Sequence, residues 1–228
     1  VNLDETSTGQ LYDINMISMF CKKNNIVLVV DAITSFLCDP FDMDKMGIDV
    51  AIVSSQKGLC MSPGLACIEL TDKVIKERVN KINCKSLYFN FKDYLQNLER
   101  FQTPFTPAIS LIYEMDDILN KILETGKKEW LQHIRENAEY FRKEVVKFDC
   151  CSIPEYPISY AITPVLFNKP IAKELKERLA ADYDIYINPC GGEIADTMIR
   201  ISHIGNLGIP DYKELLEDMK EVIKDLSL

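Results

Sequence analysis

Histidine is nearly missing from this chain: there are two in 228 residues, His133 and His203, and neither stands among cysteines or carboxylates at ligand spacing. A zinc centre, or any other metal site, is therefore not expected. Basic excess is missing as well, with 26 Lys and Arg against 35 Asp and Glu and a formal net charge of −9. Nucleic acid and anionic membrane surfaces select for basic patches, so neither is expected as the main partner. No apolar run approaches bilayer-spanning length; the longest lies around Ile26 to Val30. The eight cysteines include no Cys-x-x-Cys pair, and Cys150 and Cys151 are direct neighbours, which is poor spacing for a disulfide framework. Reduced thiols and a cytoplasmic location are the expectation. Repeats and low-complexity linkers are absent too.

What is present is a core: 47% of the residues are hydrophobic, enough for one large or two modest domains. Leu11, Ile14, Ile17 and Cys21 recur at helical spacing, and Lys22 to Asn25 close that segment. The runs "NIVLVVDA", "DVAIVSS" and "GLACIEL" read as buried strands of an α/β layer with a largely parallel sheet. From Pro107 the period changes. Ile109, Ile112, Met115, Leu119, Ile122 and Leu123 share one stripe that Gly126 breaks, and a second helix is expected from about Lys128 to Lys147. Beyond Cys150 the pattern predicts strand "AITPVLF", a helix from Pro170, strands "DIYIN" and "TMIRIS", and a helix from Pro210, both prolines suiting a helix start. The division expected is 1–148, part of a large domain with its connecting helices, and 149–228, a small α+β domain. The opening "VNLDETSTG" reads as the end of a strand, so the chain is expected to be the later part of a longer polypeptide.

Asp31 ends one apolar run and Lys57, in "SSQKGLCMSPG", follows the next. If the two strands are parallel neighbours, a carboxylate and an amine meet at one carboxyl edge, where open α/β sheets build their ligand sites. That pair suits pyridoxal phosphate, with a lysine amine for the Schiff base and an aspartate to keep the pyridine nitrogen protonated. Ile33 would project to the same side and pack on the ring. Alone, Asp31 reads equally as a turn or capping residue and Lys57 as a solvated loop lysine. Thr6 and Thr8 are alternatives for capping the first helix. Ser54 and Ser55 suit strand-end backbone, His203 suits loop packing, and Cys60 suits small-residue packing rather than a nucleophile's role. Arg200 interrupts an apolar strand, where an unpaired guanidinium is costly, so it is expected to meet a substrate, with an internal salt bridge as the rival.

The stretches "DETSTGQLYDI", "VVDAITSF", "DMDKMGIDVAIVSSQKGLCMSPGLACIEL", "QTPFTPAISL" and "IRISHIGN", in this order along nearly the whole chain, resemble the class V pyridoxal-phosphate-dependent aminotransferases of fold type I. The nearest branch holds the alanine–glyoxylate, serine–glyoxylate and 2-aminoethylphosphonate–pyruvate transaminases. The resemblance implies a mostly parallel large-domain sheet with helices, followed by a small α+β domain. It implies a ping-pong transfer of an amino group from alanine, serine or 2-aminoethylphosphonate to pyruvate or glyoxylate. It casts Lys57 as the Schiff-base lysine and Asp31 as partner of the pyridine nitrogen. Thr6 would bond the phenolic oxygen, Gln56 the phosphate, and Arg200 the substrate carboxylate through its bidentate fork. Thr106 would reach the phosphate of a neighbouring subunit, so that a homodimer shares its active sites. The family's N-terminal glycine-rich phosphate loop has no counterpart here, since the single Gly-Gly pair, in "CGGE", falls in the small domain. A truncated or non-catalytic domain is therefore one alternative. A lyase or cysteine desulfurase of the same fold is another, against which Gln56 speaks because histidine usually precedes the lysine there.

Overall fold

The β-branched runs form a three-stranded sheet in the computed structural model, which describes residues 1–188 and 190–226. The chain enters beside that sheet, forms β1 (Asp4–Glu5), and turns back through β2 (Gln10–Leu11). Helix α1 (Ile14–Lys23) follows, capped by Asp13, whose carboxylate accepts from the Met16 amide; Thr6 and Thr8 do not cap it. β3 (Val29–Asp31), short α2 (Met43–Met46), β4 (Val50–Ser54) and β5 (Ala66–Leu70) complete the layer. β3 pairs β4 in parallel, placing Asp31 opposite Ile52, and β4 pairs β5 antiparallel. Residues 1–3 run beside β3, with the Leu3 amide 2.7 Å from the Asp31 carbonyl and Asn2 bridged to Asp31 in parallel. The expectation of a largely parallel sheet therefore holds for β3 and β4 and fails for "GLACIEL". The loop before it is too short for the crossover a parallel return requires, so the chain folds straight back.

Past a short α3 (Asp72–Val74) that runs into a π-helical turn over Ile75–Val79, helices α4 (Phe91–Leu98), α5 (Ile109–Thr125) and α6 (Lys127–Val145) follow. Gly126, at φ 92°, makes the break between α5 and α6. A second, wholly antiparallel sheet has the order β6 (Cys151–Ser152), β7 (Ile162–Phe167), β8 (Met198–Ser202), covered by α7 (Ala172–Tyr183) and α8 (Ile209–Leu226). The expected strand "DIYIN" is not formed. Asp184 turns left-handed at φ 57° and the Ile185 amide bonds the Leu179 carbonyl, holding the segment to the end of α7 instead of to a strand. Pro170 stands just before the cap residue Ile171, and Pro210 is the second residue of α8 rather than the first. Of the expected small unit 149–228, Pro189, Ser227 and Leu228 lie outside the described residues.

Packing ties the two sheets together. Phe141 and Val145 of α6 are buried with Val165, Ile199, Leu175, Leu179 and Met219 around the second sheet, so the end of α6 shares that sheet's core. Ile122 of α5 joins Leu37, Leu59 and Met61 on the other side. Between them lies a polar joint. The Arg142 guanidinium donates to Thr163 Oγ1 (2.9 Å) and to the Ile162 carbonyl (3.1 Å) and the Ser159 carbonyl. Ser159 Oγ in turn donates to Asp39, which also accepts from the Tyr160 amide at 2.9 Å. The β1–β2 turn is stitched to the same segment: the Ser159 amide bonds the Gly9 carbonyl and the Tyr156 hydroxyl the Thr8 carbonyl.

Candidate active site

Parallel pairing of β3 with β4 brings two turns to one sheet edge. Asp31 is the last residue of β3, and its Oδ1 accepts from the Ile33 amide at 2.9 Å, an Asx-type turn that fixes the carboxylate at the strand end. Lys57 stands three residues past the end of β4, half-buried, and among the described residues no hydrogen bond or ion pair engages its ammonium. The two turns touch. A Cβ on Gly58 would lie 1.8 Å from the Phe36 carbonyl oxygen, so only glycine permits the approach, and Leu37 and Leu59 continue the contact as buried neighbours.

Asp4, which the sequence reading passed over, lies beneath this edge. It is 4% exposed, and its Oδ2 has no hydrogen-bond partner among the described residues. Burial first, and the Asp39 carboxylate second, push its pKa up to about 6. Lys57 opposes that rise and Asp31 adds to it, which places both in Asp4's electrostatic surroundings. Ser35 also pulls the value down, although its hydroxyl does not reach hydrogen-bond geometry. Asp4 holds its proton more tightly folded than unfolded, so its contribution favours folding at acid pH and is lost as pH rises through about 6. The Asp4→Asn variant is expected to match the wild type near pH 4 and to exceed it by about 3 kcal/mol at neutral pH. Urea denaturation of both proteins across that range checks this; a pH-independent difference overturns it.

A second line of contacts runs from this edge to the other sheet. Thr6 Oγ1 is 2.8 Å from Thr34 Oγ1, in the turn that carries Ile33, and the Thr6 carbonyl accepts from Arg200 Nη1 at 2.9 Å. Arg200 comes from β8, opposite Pro164, and its charge also reaches Glu5 and the buried Cys190 thiol. It lines a cavity of about 370 Å³ together with Ile185, Tyr186, Asn188, Ser202 and Tyr212. The segment expected as a strand is thus the cavity's wall. A wider trough of about 750 Å³ beside α4, lined by Ile75, Asn80 and Lys92, takes in none of these site residues.

Thr6 thus joins Thr34, the residue after Ile33, to Arg200, Asp31 holds the Ile33 amide, and Lys57 stands in the turn that follows β4 at the same sheet edge. Gln56 is exposed in the turn before Lys57, and Thr106 is exposed in the loop before α5; among the described residues no hydrogen bond joins either side chain to the others. Ser55 Oγ accepts from the Leu65 amide at 3.2 Å, closing the β4–β5 loop, whereas Ser54 Oγ has no such partner. Cys60 is exposed at φ 55°. His203 is fully buried with Nε2 2.7 Å from Thr163 Oγ1, and burial, with Arg142 adding to it, depresses its pKa to about 3. It is a neutral core group at physiological pH.

The family described as Aminotransferase class-V matches residues 1–206. A serine–glyoxylate aminotransferase of Arabidopsis thaliana is 28% identical over 231 residues, covering 98% of this chain and 57% of that relative. The alanine–glyoxylate aminotransferase of Nostoc sp. superposes with a TM-score of 0.87 at 24% identity, over 97% of this chain and 60% of the other. Pyridoxamine–pyruvate aminotransferase of Mesorhizobium loti gives a TM-score of 0.91 at 20% identity, over 100% and 60%. At these identities the two structures speak for the fold. The chain spans less than two thirds of the length of the relatives it matches.

Proposed function

We propose that this chain, which belongs to the class-V aminotransferase family, carries the reacting lysine and the substrate arginine of an enzyme moving an amino group between a small amino donor and a small 2-oxo acid. The observation that carries the reading is the β3–β4 parallel pair, which presents the Asp31 carboxylate and the unengaged Lys57 amine at one edge. The family implies pyridoxal phosphate, and the donor set suits it: an amine free to bond an aldehyde, and a carboxylate with one oxygen already fixed to hold a ring nitrogen. Bound there, the cofactor supplies the electron sink for the substrate's α-carbon.

The protein's own residues do the rest. The Lys57 amine takes the proton from the α-carbon and returns it on the other side of the transfer, a positioned proton movement that contributes roughly 10²–10⁴-fold. Asp31 keeps the ring nitrogen protonated. Arg200, which donates from Nη1 to the Thr6 carbonyl, is the guanidinium that meets the substrate carboxylate. Thr6 would hold the ring's oxygen, Ile33 would pack on the ring, and Gln56 would hold the phosphate. Thr106 belongs to the neighbouring subunit's phosphate in a homodimer; exposed Leu87, Phe89 and Phe101 around that loop are the kind of surface a second copy covers. Residues 1–148 and 149–228 are the two units of this arrangement, and the location is cytoplasmic. The donor is alanine, serine or 2-aminoethylphosphonate and the acceptor pyruvate or glyoxylate.

Titration with pyridoxal phosphate followed by borohydride reduction and peptide mapping tests the reading. Attachment at Lys57, with cofactor absorbance then altered by one of the three donors, is expected. Attachment scattered over several lysines, or none, overturns it.

A further inference from the structure

Cys150 ends the turn after α6 and Cys151 opens β6, so the opposite-face rule of an extended chain does not separate their side chains. Their sulfurs lie 3.7 Å apart, at the point where the chain enters the edge strand β6. Both backbone groups are pinned: the Cys151 amide bonds the Phe148 carbonyl at 2.8 Å, and the Asn168 amide bonds the Cys150 carbonyl at 3.0 Å. Both side chains are half-buried against the core of the second sheet. The thiols are thus held side by side by the fold.

We propose that Cys150 and Cys151 form a two-sulfur capture site for trivalent arsenicals. For a central atom with bonds to sulfur of about 2.3 Å, the length found for zinc, a 3.7 Å separation corresponds to a bite angle of about 107°. Zinc itself needs three or four protein ligands, and among the described residues no group of three His, Cys, Asp or Glu could hold a metal. A monosubstituted arsenic(III) brings its own third substituent and needs only two sulfurs. With phenylarsine oxide, two S–As bonds form and the arsenic–oxygen bond breaks. The oxygen leaves as water with both thiol protons, and arsenic stays trivalent, so no oxidant is required. The product carries no charge. Burial and the neighbouring Cys150 push the Cys151 thiol up, which disfavours reagents that need a thiolate but does not penalise a neutral chelate.

The test treats the reduced, intact chain with one equivalent of phenylarsine oxide, washes with excess 2-mercaptoethanol, and maps the product after tryptic digestion. One phenylarsenic group is expected on the peptide holding Cys150 and Cys151, resistant to the monothiol and released by 2,3-dimercaptopropanol. Cys150→Ser and Cys151→Ser should each release it about 100-fold faster, because the second bond acts at high effective concentration. If either variant fails to fold, mapping of the wild type decides alone. Retention on the peptide holding Cys60 and Cys67, or loss to the monothiol, overturns the site.

Discussion

Lys57→Ala is expected to abolish amino transfer while leaving the fold nearly untouched. The two halves of that expectation come from the same observation. Lys57 is half-buried and engages no partner among the described residues, so its removal strands no hydrogen-bond group and opens no cavity of consequence. Changes of that kind usually stay within about 0.5 kcal/mol. On the proposed reading the amine is nevertheless the group that bonds an aldehyde and carries a proton at the substrate carbon. Losing the proton transfer alone costs roughly 10²–10⁴-fold, and losing the covalent route adds to it. Rates with alanine and pyruvate, or serine and glyoxylate, set beside urea midpoints, check both halves. A variant with activity within tenfold of the wild type removes Lys57 from the chemistry; one that loses activity only because it unfolds gives it a structural place instead.

The second large effect concerns the residue after it. Gly58→Ala places a methyl group 1.8 Å from the Phe36 carbonyl oxygen, and this is backbone that cannot rotate away. Either the 33–37 turn or the 57–60 turn has to move. The first already holds Leu37 at φ 61°, and the second holds Cys60 at φ 55°, so neither has slack in its backbone. Overpacking of this sort costs about 1–3 kcal/mol and often more, and both turns sit on the site. A stability loss of at least about 2 kcal/mol, read as a lower urea midpoint at unchanged slope, is expected together with weaker retention of pyridoxal phosphate. Gly191→Ala is the control: a Cβ there meets nothing within 4 Å, and the change should be nearly neutral. Equal effects at the two glycines reject close packing of the turns.

The residues that make this edge were legible because strand ends are. Apolar β-branched runs that stop at an aspartate and three residues before a lysine mark where two strands deliver their side chains, and the helices α5 and α6 announced themselves by period and by Gly126. Direction was not legible. An apolar strand reads the same whether it runs up or down, so the antiparallel course of β5 was set by the length of its loop rather than by its own residues. "DIYIN" alternates as a strand should, but Asp184 adopts a left-handed turn and Ile185 finds its partner at the end of α7. Asp4 escaped notice because a strand-end acid looks solvated until the loop carrying Ser35, Cys38 and Asp39 closes over it. In the structure Asp4 follows buried Leu3 and stands in β1, just before the turn over residues 6–9.

The bond from Ser159 to Asp39 has a mechanical consequence. Asp39 is 2% exposed, and pulling the second sheet away from the first would strip a buried carboxylate of both its donors. A buried acceptor that loses its donors costs about 1–3 kcal/mol, so these two bonds resist separation at this point. The segment that leads into β7 is therefore anchored at Asp39 to the loop that follows β3.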